Sequence, residues 1–110
     1  MFHMLSWFDL DPDVDLEDFR ADYAVFVAEM QKIDLVESSG PLGQRQNDTP
    51  MDTDNERTQR FFVIMNFRDR KQVDDAYAYI EQYRKPGMKS HTCVYTKVRN
   101  AVFICWQDLP

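Results

Sequence analysis

Four side chains in this sequence could manage a proton: His3 near the start, Tyr77 and Tyr79 in the second half, and His91. An imidazole titrates near neutral pH, so it can take a proton from an acidic carbon or a phenol. A tyrosine hydroxyl can hold a substrate oxygen meanwhile, and Phe and Trp rings would shelter an apolar ligand. Leu5, Trp7, Tyr23 and Phe26 are the candidate pocket residues. The plainer alternative is a core histidine bonded to a backbone carbonyl, with the tyrosines packed as amphipathic core residues.

Other chemistries find less support. Asp9, Asp11 and Asp13 have the spacing of the first three ligands of a calcium loop. The sixth position is Val14 rather than Gly, however, and the twelfth is Arg20 rather than Glu. A helix-capping acidic surface explains the run better, and no metal is expected. Cys93 and Cys105 form no Cys-x-x-Cys and, with His3 and His91, no zinc spacing. They are expected to be reduced, partly buried thiols of a cytoplasmic protein. Only His3 and His91 could ligate haem iron and nothing else marks a haem pocket, so no cofactor is called for. Phosphate-binding glycine loops and Ser or Cys nucleophile signatures are absent from the sequence.

The chain that must position these residues has 110 residues, 44% of them hydrophobic and 29% charged. That length suits one globular domain spanning 1–110, with a core needing no disulfide or metal. Two Trp, five Tyr and eight Phe argue against disorder, and three Gly against a fibrous chain. No apolar run approaches the roughly 18 residues of a membrane span. Met1 to Leu10 lacks the basic start and small-residue site of a signal peptide, which again points to the cytoplasm. The net charge is −6, and residues 9–18 alone hold Asp9, Asp11, Asp13, Asp15, Glu17 and Asp18 without a base. The rest is neutral, which argues against nucleic acid and anionic membranes as partners.

Residues 2–10 read as a strand, and Asp11-Pro12-Asp13-Val14-Asp15 as a turn and cap. Phe19, Tyr23, Phe26, Met30 and Ile33 then recur at helical spacing and define one buried face. Leu35 to Leu42 is a weaker edge strand broken by Gly40-Pro41. Residues 46–59 form a long polar loop, a hairpin linker by default and a lid as the alternative. Phe61 to Phe67 is the clearest strand. Asp69 and Gln72 suit a capped second helix whose stripe is Val73, Ala76, Tyr77, Ile80 and Tyr83, stopped by Pro86-Gly87. Residues 91–99 suggest a strand turning at Arg99-Asn100, or a short irregular or helical segment. Ala101 to Gln107 is the last strand.

This β-α-β, β-α-β order predicts a ferredoxin-like α+β fold with a four-stranded antiparallel sheet and both helices on one face. Each of the three clear strands is apolar on both sides. Two helices cover one side only, so the other is expected to pack on a second copy in a two-fold homodimer. Trp7 or Trp106 should lie in that interface. The competing expectation is that the tail or the long loop folds over the open face.

The sequence resembles the stress-responsive α/β-barrel domain family within the dimeric α/β-barrel group, over almost its whole length. The resemblance rests on Phe2-His3-Met4-Leu5, the Phe67-Arg68-Asp69 entry to the second helix, Tyr77 or Tyr79, and a last strand ending in Asp108. It implies a homodimer whose sheets form a barrel, with a small apolar or aromatic ligand between each sheet and its helices. A few such proteins are cofactor-independent cyclases, which implies a rival reading: a cyclase or monooxygenase with His3 as general base and Tyr77 or Tyr79 as positioning group. Where the family has His-Pro-x-His, this chain runs from Arg84 to His91, making His91 a displaced counterpart.

Overall fold

The computed structural model describes residues 1–82 and 87–110. The elements are β1 (Phe2–Leu10), α1 (Leu16–Lys32), β2 (Ser38–Ser39), β3 (Gly43–Gln44), β4 (Phe61–Phe67), α2 (Arg70–Gln82), α3 (Gly87–Tyr95) and β5 (Val98–Gln107). The strands lie in the order β2-β4-β1-β5, β3 also pairs with β4, and every pairing is antiparallel. This is the ferredoxin-like α+β fold, built on an open sheet rather than a closed barrel.

Local chemistry explains the boundaries. Asp15 caps α1, its Oδ1 accepting from the backbone N–H groups of Glu17 (2.9 Å) and Asp18 (3.1 Å). The helix ends in a Schellman turn: Leu35 N–H donates to the Met30 carbonyl and Asp34 N–H to that of Gln31, with Asp34 at φ 61°. Ile33 sits at this cap and is 44% exposed, so the buried face of α1 stops at Met30. Asp69 Oδ1 accepts from Gln72 N–H (2.9 Å), while the buried Gln72 side chain reaches back to Arg68 N–H (2.7 Å).

Two segments differ from expectation. The strand foreseen over Leu35 to Leu42 shrinks to β2, and a separate short strand, β3, begins beyond it at Gly43, because Gly40-Pro41 interrupts the pairing to β4 between them. In 91–99 the chain stays helical through Tyr95 and becomes strand only at Val98, so a third helix joins the layer. The β-branched residues of 91–99 fall partly on helix because α3 packs on α1. Tyr83 and the stop at Pro86 lie outside the described residues.

The core lies between the sheet and the helices, where Phe26, Val27, Met30, Val36, Met65, Phe67 and Ala76 form one cluster and Phe8, Phe19 and Val63 another. Strand parity sorts everything else. Phe2, Met4, Ser6 and Phe8 pair with Phe67, Met65, Val63 and Phe61 on the helix side, and His3, Leu5 and Trp7 with Asn66, Ile64 and Phe62 on the other.

The long loop folds onto that other side. Arg45 is buried and grips the Asp52 carboxylate with two bonds of 2.9 Å; it also bonds the Asp54 carbonyl (2.6 Å) and that of Arg57. Trp7 Nε1 donates to the Gln59 carbonyl (3.0 Å), and its ring stacks on Phe62. Trp7 is therefore 8% exposed within one chain, a correction to its expected place in an interface between copies. Trp106, in contrast, is 40% exposed. Among the described residues, no helix is long and apolar enough to cross a membrane.

Candidate functional site

Between the helix side of the sheet and the helices lies a cleft of about 1370 Å³. Its floor is Phe2, Met4, Ser6, Met65, Phe67 and Phe103; α2 contributes Val73, Tyr77 and Ile80, and α3 His91 and Tyr95. Each strand supplies alternate residues and α2 supplies the stripe read from the sequence. Phe103, 59% exposed, and Tyr77 and Tyr95, both exposed, present rings into this space from three different elements.

His91 sits on the inner wall of the cleft. Its ring is 5.5 Å from that of Phe26 and stacks at 5.8 Å on Tyr95. Burial holds its pKa below the ordinary histidine value, with Glu81 pulling weakly the other way. The imidazole is thus neutral at pH 7, and no hydrogen bond to its ring nitrogens is formed among the described residues. Tyr23 and Phe26 also line the cleft, but the Tyr23 hydroxyl is engaged by Ser39 Oγ (2.8 Å) and burial raises its pKa. Tyr79 packs against the larger core cluster.

The proposed constellation does not come together as one site. His3 lies on the opposite face of the sheet from His91, because odd-numbered residues of β1 point away from the helices. Leu5 and Trp7 are separated from Tyr23 and Phe26 for the same reason. Leu5 lines a shallow groove of about 310 Å³ with Pro41, Phe62 and Ile64, while Trp7 is under the loop. Both cysteines are free as expected, but exposed rather than partly buried: Cys105 lies on the edge strand β5 and lines the open cleft, and Cys93 is exposed on α3.

His3 has its own surroundings. Its Nδ1 bonds Asn66 Oδ1 (2.7 Å) and its Nε2 bonds Asp108 Oδ1 (2.8 Å). Asn66 Nδ2 donates to Ser38 Oγ (3.0 Å), and Trp106 lies 5.1 Å from the imidazole. The Asn66 and Asp108 hydrogen bonds raise the His3 pKa, and that of Asp108 falls in turn. Sequence reasoning passed over Asn66 and Phe103. Asn66 is the one polar residue within Phe61–Phe67, and the alternation of β5 puts Phe103 on the face away from Trp106.

The acidic run is similarly absorbed by the fold. Asp9 accepts from Arg60 N–H (3.0 Å) and Asn100 Nδ2 (3.2 Å), Asp11 pairs with Arg99 (2.6 Å), and Asp15 caps α1.

The sequence matches no protein-family model, and no curated protein matches it. Solved structures of similar fold span all or nearly all of the chain. The Arabidopsis thaliana protein At3g17210 is 10% identical with a TM-score of 0.73, covering 100% of this chain and 97% of its own. An antibiotic biosynthesis monooxygenase is 12% identical with a TM-score of 0.62, covering 100% of both chains. A dimeric protein of unknown function with a ferredoxin-like fold, from Bacteroides fragilis, is 14% identical with a TM-score of 0.55, covering 97% of this chain and 95% of its own. At such identities the likeness extends to the ferredoxin-like fold alone.

Proposed function

We propose that this chain binds a small apolar or aromatic ligand in the cleft between its sheet and its helices, as a homodimer of the stress-responsive α/β-barrel type. The observation that carries the reading is the apolar cleft itself, into which Phe103, Tyr77 and Tyr95 project exposed rings. A soluble protein gains nothing in stability from keeping such rings wet, whereas a planar ligand between them would bury them. The homodimer is supported by the exposed Ile64, Ile104 and Trp106 on the other sheet face, where a second copy would complete a barrel.

The binding reading is tested with 8-anilinonaphthalene-1-sulfonate, an aromatic dye whose fluorescence rises in apolar sites. The expected result is saturable enhancement that falls several-fold in Phe103→Ala and Tyr77→Ala and is unchanged in Trp106→Ala. No enhancement, or loss in Trp106→Ala alone, would overturn it.

A cofactor-independent cyclase or monooxygenase is the second reading, favoured by the state of His91. A neutral imidazole in an apolar cleft, its ring nitrogens forming no hydrogen bond among the described residues, is suited to act as a general base. His91 takes that role in place of His3, whose two nitrogens are both engaged on the other face. Tyr77 would position the substrate oxygen. Turnover of a phenolic or polyketide-like substrate that is lost in His91→Gln and kept in His3→Gln would favour this reading; the reverse pattern would sink it.

A further inference from the structure

A single row of polar side chains crosses the otherwise apolar open face of the sheet. Ser38, Asn66, His3 and Trp106 are direct cross-strand partners on β2, β4, β1 and β5, and Asp108 follows Trp106 by two residues. Hydrogen bonds run along the row without a break: Ser38 to Asn66 at 3.0 Å, Asn66 to His3 at 2.7 Å, and His3 to Asp108 at 2.8 Å. The row therefore touches all four strands of the main sheet path and the tail that follows it.

We propose that this row is a proton-operated relay, in which the charge on His3 sets the orientation of the Asn66 amide and, through it, of the Ser38 hydroxyl at the far edge of the sheet. In the described arrangement both ring nitrogens of His3 face acceptor oxygens, Asn66 Oδ1 on one side and Asp108 Oδ1 on the other. Both contacts are hydrogen bonds only if both nitrogens carry protons, which makes the ring an imidazolium. When the ring loses a proton, the Asp108 carboxylate keeps the Nε2–H, because it can only accept. The bare Nδ1 then faces a carbonyl oxygen. Turning the Asn66 amide over presents Nδ2 to that nitrogen and Oδ1 to Ser38, whose hydroxyl can donate as well as accept. Every member of the row stays satisfied in both states, so the two arrangements exchange without an orphaned polar group.

The charged groups facing His3 among the described residues are few. Asp108 on the tail favours the imidazolium, and the Met1 ammonium, 3.6 Å from the second Asp108 oxygen, opposes it. Asn66 on β4, Ser38 on β2 and Trp106 on β5 carry no charge, though the Trp106 ring lies beside the imidazole and favours a cation there. The tail is anchored in both states: Asp108 N–H donates to the Met1 carbonyl (3.0 Å), and its carboxylate accepts from His3 Nε2–H.

The experiment is an NMR titration of the ¹⁵N-labelled full chain from about pH 5 to about pH 9, following the His3 ring nitrogens and the Asn66 side-chain amide together. The His91→Gln variant serves as the parent, so that one imidazole signal remains. The expected result is a His3 midpoint above 6.5, the Nε2–H tautomer on the basic side, and an Asn66 amide resonance that moves with the same midpoint. Asp108→Asn should bring both midpoints down together, and Ser38→Ala should shrink the Asn66 response while His3 still titrates. A His3 midpoint at or below 6.5, or an Asn66 amide that ignores the titration, would overturn the relay.

Discussion

The Arg45 guanidinium lies 5.3 Å from the centre of the Trp7 indole ring, and that of Arg57 lies 5.5 Å from it. Through this contact a polar loop becomes the cover of an apolar sheet face. Arg45 can sit there because Asp52 neutralises it and loop carbonyls satisfy its remaining donors. Trp7→Ala removes the surface on which the loop rests and should cost roughly 3–5 kcal/mol of stability, measured by denaturant unfolding. Arg45→Ala should instead free the loop, seen as faster proteolytic cutting between residues 46 and 59. Cutting at the wild-type rate in Arg45→Ala would show that the loop is held otherwise.

Acid should undo the same loop. The Asp54 carboxylate accepts from the N–H groups of Glu56 and Arg57 and pairs with the Arg57 side chain, which lowers its pKa from 3.8 to about 2. Asp52 is lowered by Arg45 in the same direction. Folded values below the unfolded ones mean a contribution present above the unfolded value of 3.8 and lost as pH falls through about 2. Trp7 fluorescence, read in Trp106→Phe, should therefore shift to the red between about pH 4 and about pH 2. Asp54→Asn should remove most of that acid step. Emission unchanged down to the bottom of this range would contradict the assignment.

Adjacent residues Phe103 and Ile104 point to opposite faces of β5 and should separate the two surfaces of the sheet. Ile104→Asp places a charge on the open face and should turn a dimer into monomers in sedimentation. Phe103→Asp should leave the assembly intact and abolish dye binding. Monomeric wild-type protein at micromolar concentration would refute pairing through the open face.

Asp15 is the acidic residue whose structural work is most readily isolated. Removing its cap in Asp15→Ala should cost about 1 kcal/mol, with Asp15→Asn close to wild type because an amide oxygen caps as well. Equal losses in the two variants would mean that charge at the helix end, rather than the hydrogen bond, is responsible.

Local chemistry in the sequence determines most of the elements. The helical spacing of Phe19, Tyr23, Phe26 and Met30 marks a helix, and the short, aromatic-rich run of Phe61–Phe67, apolar but for Asn66, marks a strand. Asp15 and Asp69 mark helix starts because their carboxylates meet N–H groups only two or three residues away. Even the two-sided character of the sheet follows from alternation. What alternation leaves open is which side faces the helices. That depends on the absolute register of β1 against the helix layer, a sum of many contacts between residues distant in sequence, and a one-residue choice moves His3 from one face to the other. The same holds for residues 91–95, whose β-branched side chains give way to packing on α1, and for the polar loop, whose destination was set by a partner, Trp7, lying 52 residues upstream of the Gln59 carbonyl it bonds. Sequence thus determined the parts and their chemistry, and tertiary packing decided that His91 lies in the cleft while His3 spans the opposite face.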